Sequence, residues 1–203
     1  MRRKFLLMGL FVIILISSVF SVSALHHNTN WLRWFAGGSF VRGSSATLRT
    51  SEDGAGFNIH TEGLNNGDAV TVWWVIFNHP EKCTHGVMGF RCGERDLTPF
   101  GGSSAVGSSV LYADGAVIRG SGGSNFNGFL NVNDASGALF GNGLTNPQGA
   151  DIHFVVKTHG RIIRGLVSEQ ISTFGGGCNN APAGTGTSGP NTCEDLQFVV
   201  FEQ

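Results

Sequence analysis

Three groups of residues have the types and spacing to do chemistry. The first is Leu25, His26 and His27. With a free amine on Leu25, the two following amides and the His27 imidazole make a square-planar nitrogen set. That geometry suits Cu(II) or Ni(II), and His26 adds a ligand for Cu(I). The second group is Asp151 and His153, with His159 further on and His60 in another segment. Residues two apart in a strand share a face, roughly 6–7 Å from each other, close enough to hold one metal ion with a third ligand. The third is the loop from His79 to His85, with Glu94 and Asp96 beyond it, acids and imidazoles in the kind of loop where binding sites sit. Each has a plainer reading as well: a polar chain terminus, a surface histidine on a strand, a solvated loop. No G-x-S-x-G, phosphate-binding glycine loop or H-E-x-x-H occurs, so no assembled catalytic set is visible. A non-catalytic role is therefore favoured over an enzymatic one, which stays open.

The first group depends on export. Met1 to Lys4 is basic, Phe5 to Phe20 is an apolar run, and Val22, Ser23 and Ala24 make a small-residue cleavage site. Residues 1–24 read as a signal peptide and 25–203 as one mature domain. A retained anchor is disfavoured because the run is shorter than the roughly 20 residues a spanning helix needs, and Ser17 and Ser18 already interrupt it. The expected location is secreted or extracytoplasmic, with no membrane contact after cleavage. In that compartment Cys83, Cys92, Cys178 and Cys193 read as two disulfides. Three pairings are open. The local one, Cys83–Cys92 with Cys178–Cys193, would staple two Gly/Pro-rich loops and contribute about 2–4 kcal/mol per bridge. A four-thiolate zinc site is disfavoured, since no C-x-x-C pair is present.

Composition narrows the class. A net charge of −1 with 13% charged residues excludes nucleic acid, which demands a basic surface. Glycine, at 31 of 203 residues, is about twice its usual share, and good helix formers are scarce. The strongest element is Ala69 to Asn78, filled with Val, Thr, Trp, Ile and Phe. A period of two places Val70, Val72, Trp74 and Ile76 on one face and Thr71, Trp73, Val75 and Phe77 on the other. Both faces are apolar, which predicts an interior strand covered on both sides.

Around it, Asp53–Gly54 predicts a hairpin whose second strand carries Phe57, Ile59 and Thr61 inward and His60 on the polar side. Asp114–Gly115 predicts a second turn of the same kind. Phe126, Leu130 and Val132 mark another strand. Asp151 to Thr158 predicts a strand with Ile152, Phe154 and Val156 inward and Asp151, His153, Val155 and Lys157 outward. Leu166 to Phe174 predicts the only helix, and Leu196 to Phe201 a closing strand that inserts into a sheet. Trp31, Trp34 and Phe35 are expected to cover the core. The core itself is expected to hold Val72, Trp73, Trp74, Ile76, Phe77, Phe154, Val156 and Phe198. Short strands joined by Gly-rich turns predict an all-β, single-domain antiparallel β-sandwich or closed β-barrel with long disulfide-pinned loops.

The segments around Gly63, Thr71 to Asn78, Cys83, Cys92 to Glu94 and Asp151 to Gly160 resemble a family of exported bacterial proteins without an assigned activity; the likeness implies secretion and a shared β fold. Leu25 to His27 is similar to amino-terminal copper- and nickel-binding motifs. Ala46 to Leu64 resembles the opening hairpin of chordin-type repeats, which are similar to the copper–zinc superoxide dismutase sandwich. There the next strand should bring an H-x-H copper-ligand pair; Trp73 and Trp74 stand in its place, so dismutase activity is not implied.

Three functions are expected in turn. The first is a non-catalytic, exported binding or surface module with an extracellular ligand or protein partner and no required cofactor. The second is a copper-binding protein using Leu25, His26 and His27. The third is a barrel-type carrier or enzyme with a cavity lined by residues such as Trp73 and Phe77.

Overall fold

Strand β5 (Asp68–Phe77) has every one of its ten residues buried, as its two apolar faces require. It lies between β6 (Ser108–Val117) and β9 (Asp151–Arg161), antiparallel to both. The computed structural model describes residues 26–203, so the segment 1–24 and Leu25 lie outside the described residues. Two antiparallel sheets face each other and do not close into a barrel. The six-stranded sheet runs β2-β10-β9-β5-β6-β8 and the four-stranded sheet β1-β3-β4-β7, with β1 His26–Asn30, β2 Arg33–Trp34, β3 Ser45–Ser51, β4 Gly54–Thr61, β7 Ser124–Asn131, β8 Ala138–Phe140 and β10 Glu194–Phe201. The protein is a β-sandwich.

The inward faces alternate as the sequence pattern dictates. Val70, Val72, Trp74 and Ile76 of β5, with Ile152, Phe154 and Val156 of β9, meet Leu48, Phe57, Ile59 and Phe126 of the smaller sheet. Phe57 reaches across to Trp74 and Phe154, with ring centroids 5.0 and 4.6 Å away, and Trp74 lies 4.5 Å from Phe154. Edge-to-face and tilted pairs at such distances add to the area they bury. Polar ties between the sheets are few. Thr61 of β4 donates its hydroxyl to Gln197 of β10, and Gln197 Nε2 donates to the Glu62 carbonyl at 2.8 Å.

The other face of the large sheet carries a second apolar layer. Trp73, Val75, Phe77, Val106 and Val110 pack there with Leu97 and Cys92, joined by Tyr112, Val155 and Phe174. The cover is the excursion between β5 and β6, four short 3-10 turns closed by Cys83–Cys92. The segment between β9 and β10 completes it, with helix α1 (Val167–Gln170) and the Cys178–Cys193 disulfide. The local pairing is the one adopted. All eight expected core residues are buried, Phe198 included at 7%.

Three expectations need correction. Asp114–Gly115 is not a turn. β6 runs straight through it, and Ala113 bulges out of register between the pairs Val72–Asp114 and Trp73–Tyr112. Asp114 accepts from the Asn127 amide of β7 at 3.0 Å, tying one sheet to the other. Gly115 is there for clearance, since a Cβ would stand 2.0 Å from the Ile171 carbonyl oxygen. In the β3–β4 hairpin, Ser51 pairs with Gly54, so the two-residue loop is Glu52–Asp53 and Gly54 opens the next strand.

The cover of Trp31, Trp34 and Phe35 is also only partial. Residues 31–41 fold back on themselves, with Arg33 bridged to Phe40. The period of two sends Leu32 into the core and leaves Trp31, Arg33 and Phe35 on the opposite side.

Replacing Gly115 by Ala should force the α1 segment off β6 and cost about 1–3 kcal/mol. A urea unfolding midpoint that does not move would show that Ile171 is free to withdraw.

Candidate functional site

The predicted site residues do not converge. His26 and His27 stand exposed on β1, paired with Thr50 and Arg49 of β3. The amino-terminal segment is thus a sheet edge rather than a free tail. In an antiparallel ladder one of two successive residues turns its amide toward the partner strand. A square-planar copper set on Leu25, His26 and His27 would therefore have to break a ladder bond.

Asp151 and His153 share a face, as expected, but it is not turned to solvent, because the Cys83–Cys92 loop covers it. Asp151 is fully buried. Its carboxylate accepts from Arg91 Nε at 3.1 Å and Nη2 at 3.0 Å, and from the Gln203 amide at 3.1 Å. Burial pushes its pKa up, against the pull of the Gln203 amide and the Arg91 guanidinium. With both oxygens engaged, Asp151 is an anchor for the disulfide loop and the C-terminus rather than a metal ligand. Arg91 also donates to the Gln203 carbonyl, and its own amide donates to Glu202.

His153 lies beneath Phe90 and beside Phe77, 6.5 and 5.0 Å between centroids. Its Nε2 is sealed from water without a hydrogen-bond partner, and burial holds its pKa down to about 3. It is a neutral, packed imidazole.

His60 is on the other sheet, bonded to Asn125 and 3.3 Å from Glu62. In the third group, His79 and Glu81 form an exposed pair 3.7 Å apart. Asp96 is buried and turned to its own loop, accepting from the amides of Thr84, His85 and Gly93 at 2.8–3.2 Å. Burial pushes the Asp96 carboxyl up, but those amides together hold it below its ordinary value. Like Asp151, it folds a loop.

His159 does find partners, though not His153 or Asp151. It is fully buried. Its Nδ1 lies 2.9 Å from the Gly176 carbonyl, and its Nε2 is 2.9 Å from Thr71 Oγ1. A carbonyl oxygen only accepts, so the ring proton is assigned to Nδ1. Thr71 Oγ1 accepts from Trp73 Nε1 at 2.8 Å and passes its own proton to Nε2. Burial pushes this histidine down as well, against the Gly176 carbonyl. Nδ1 also faces both sulfurs of the second disulfide, at 3.5 and 3.9 Å. Among the described residues, His159, Cys178 and Cys193 are the single group of three metal-capable side chains to converge. In the oxidised protein its two sulfurs are bonded to each other.

One surface feature had no signal in motif or spacing. Trp31 and Phe40 are 56% and 55% exposed, Phe35 is exposed on the same hairpin, and Met88 lies against Gly38 of it. Trp31 and Phe40 line an open cleft of about 440 Å³ with Val41, Arg42 and Gly43. The Arg33 guanidinium lies 4.2 Å over the Phe40 ring and 5.8 Å from that of Phe90. Phe90 and Phe35 both pack on Phe198, at 6.2 and 4.9 Å. A second cleft of about 290 Å³ opens between β1, Phe90 and Val200 to Glu202. Trp73 and Phe77 line neither cleft, being packed into the second apolar layer.

Fold and surface together define a two-sheet antiparallel sandwich with disulfide-pinned loops and an exposed aromatic face. No family model, curated protein or solved structure matches the chain. Among the described residues no helix is long and apolar enough to cross a membrane.

His153 and His159 set a pH dependence. The folded state keeps His153 neutral down to about pH 3, whereas an unfolded histidine takes up its proton near pH 6.5. Unfolding thus binds protons in this window, and stability falls as pH drops below 6.5; His159 adds in the same direction. His153→Leu should reduce the slope of unfolding free energy between pH 6 and 5 by about one proton's worth, roughly 1.4 kcal/mol per pH unit. An unchanged slope would mean that His153 is protonated in the fold.

Proposed function

We propose that the chain is an exported, non-catalytic binding module whose aromatic face, built on Trp31, Phe35 and Phe40, takes a protein partner. The observation that carries this reading is the exposure of that face. Trp31 and Phe40, each more than half exposed, share one cleft, whereas the equally exposed Phe100 and Phe129 line neither cleft; an exposed apolar patch on a folded domain marks an interaction site. Aromatic residues, Met and Arg are the residue types enriched at the core of protein interfaces. Here Arg33 is already stacked on Phe40, so little side-chain freedom remains to be lost on binding.

Two disulfides are compatible with an oxidising compartment, and export through residues 1–24 completes the proposal. The likeness of Ala46 to Leu64 to the opening hairpin of chordin-type repeats remains a proposal about fold alone. It brings no activity.

A copper-binding role for Leu25, His26 and His27 is the second reading. Two adjacent exposed imidazoles favour it, and the β1 ladder opposes it. His27→Ala should abolish tight Cu(II) binding in the processed protein; binding that survives would remove the motif.

For the leading reading, Trp31→Ser and Phe40→Ser are the informative changes. Both should leave the unfolding free energy within about 0.5 kcal/mol of wild type and weaken binding of a partner isolated with the wild-type protein by about 30-fold, the loss expected of a hot-spot residue. Unchanged affinity in both variants, or substrate turnover abolished by a single His or Glu substitution, would overturn it.

A further inference from the structure

We propose that Cys178, Cys193 and His159 form a redox-gated zinc site, closed while the two sulfurs are bonded and opened when a dithiol reductant separates them. The donor atoms already lie within 4.8 Å of one another, in a pocket where His159, Cys178 and Cys193 are 0%, 2% and 4% exposed. The cysteine Cα atoms are 5.5 Å apart. Two thiolates on one tetrahedral zinc ion, each at about 2.3 Å, stand about 3.8 Å from each other. Rotation about the two side-chain bonds reaches that separation without moving the backbone.

The loop that carries the sulfurs does not depend on the disulfide alone. Gly175, Gly177 and Asn179 donate their amides to the carbonyls of Thr185, Thr187 and Asn191 at 2.7–2.8 Å. The Asn180 side chain donates to the Cys193 carbonyl and accepts from its amide, at 2.9 and 3.0 Å. Asn191 Nδ2 donates to the carbonyls of His159 and Arg161, both at 2.7 Å. Reduction therefore leaves both thiols beside the imidazole.

His159 is prepared to ligate. Its proton on Nδ1 moves to Nε2 when the metal takes Nδ1. Nε2 then donates to Thr71 Oγ1, which has a second lone pair beyond the one used by Trp73, and the Thr71 hydroxyl proton rotates away from the ring. A hydrogen bond from the remote ring nitrogen is what orients a metal-bound imidazole. The Gly176 carbonyl loses its donor in the same step. It stands 2.9 Å from Nδ1 and 3.7 Å from Cys178 Sγ, placed to become a fourth ligand. Zn(II), two thiolates and a neutral imidazole sum to zero charge, as burial demands.

The steps balance. An external dithiol gives two electrons and two protons to the disulfide, leaving two thiols and a cyclic disulfide of the reductant. Zn(II) then displaces the two thiol protons to solvent. Cys83–Cys92 is the internal control, because among the described residues its sulfurs belong to no converging group of three metal-capable side chains.

The test reduces the purified wild-type protein anaerobically, removes the reductant, adds one equivalent of Zn(II) and alkylates. Peptide mapping should find Cys178 and Cys193 protected and Cys83 and Cys92 modified. With Co(II) as the probe, the reduced protein should develop a thiolate charge-transfer band and tetrahedral ligand-field bands that saturate at one equivalent. The oxidised protein should show neither. His159→Gln should weaken Co(II) binding at least tenfold and shift the ligand-field bands. Equal alkylation of all four cysteines overturns the proposal, as does a His159→Gln variant that binds like wild type. Should reduction unfold the chain, Zn(II) must restore the near-ultraviolet dichroism of the buried tryptophans, and failure to do so overturns it equally.

Discussion

Burial of both faces of β5 is the constraint on which the rest of the structure depends. A strand carrying Val70, Val72, Trp74 and Ile76 on one side and Thr71, Trp73, Val75 and Phe77 on the other cannot be half-wet. One side is met by the smaller sheet. The other needs a second cover, and the chain supplies loops rather than a third sheet. Loops cover poorly unless something replaces the ladder of hydrogen bonds a sheet would provide. Each excursion is accordingly closed by a disulfide and by a buried polar side chain turned onto its own backbone. Asp96 gathers three amides in the first. Gln170 accepts from Ile163 and donates to the His159 and Arg161 carbonyls in the second.

This explains why so many residues with catalytic side chains prove to be structural. Asp151, Asp96 and His153 lie between the large sheet and its loop cover, where an unpaired charge is costly. Each carboxylate is saturated by donors from the loop it anchors, and His153 stays neutral. The same placement gives the pair of His159 and Cys178–Cys193 its character. An imidazole wedged between the sheet and a disulfide is shielded from solvent, yet close enough to the sulfurs to share a metal ion once they part.

The surface follows a different logic. The residue 31–41 hairpin joins β2 to the outer edge of the large sheet, beside β10. It has to bury Leu32 and Val41 while its other side faces outward. The aromatic rings on that outer side are not needed by the core, which is filled by Phe57, Trp74 and Phe154. Their exposure is an independent property of the sequence, and the proposed binding role rests on it.

The sequence by itself determined the class of fold, the central strand with the residues on each of its faces, the inward set of β9, the short helix and the insertion of the C-terminal strand. These depend on local periodicity, and a strand's side chains alternate whatever its neighbours are. It left open the choice between sandwich and barrel and the cysteine pairing, and it placed the polar face of β9 outward where the loop cover buries Asp151 and Lys157. It also misread Asp114–Gly115, because a bulge uses the same residues as a turn and only the straight partner strand tells them apart. Tertiary structure decided which polar side chains meet. His159 and Cys178 are 19 residues apart, and Trp31 and Phe40 share a cleft only because a hairpin folds between them. Such meetings are set by long-range packing, and no spacing along the chain encodes them.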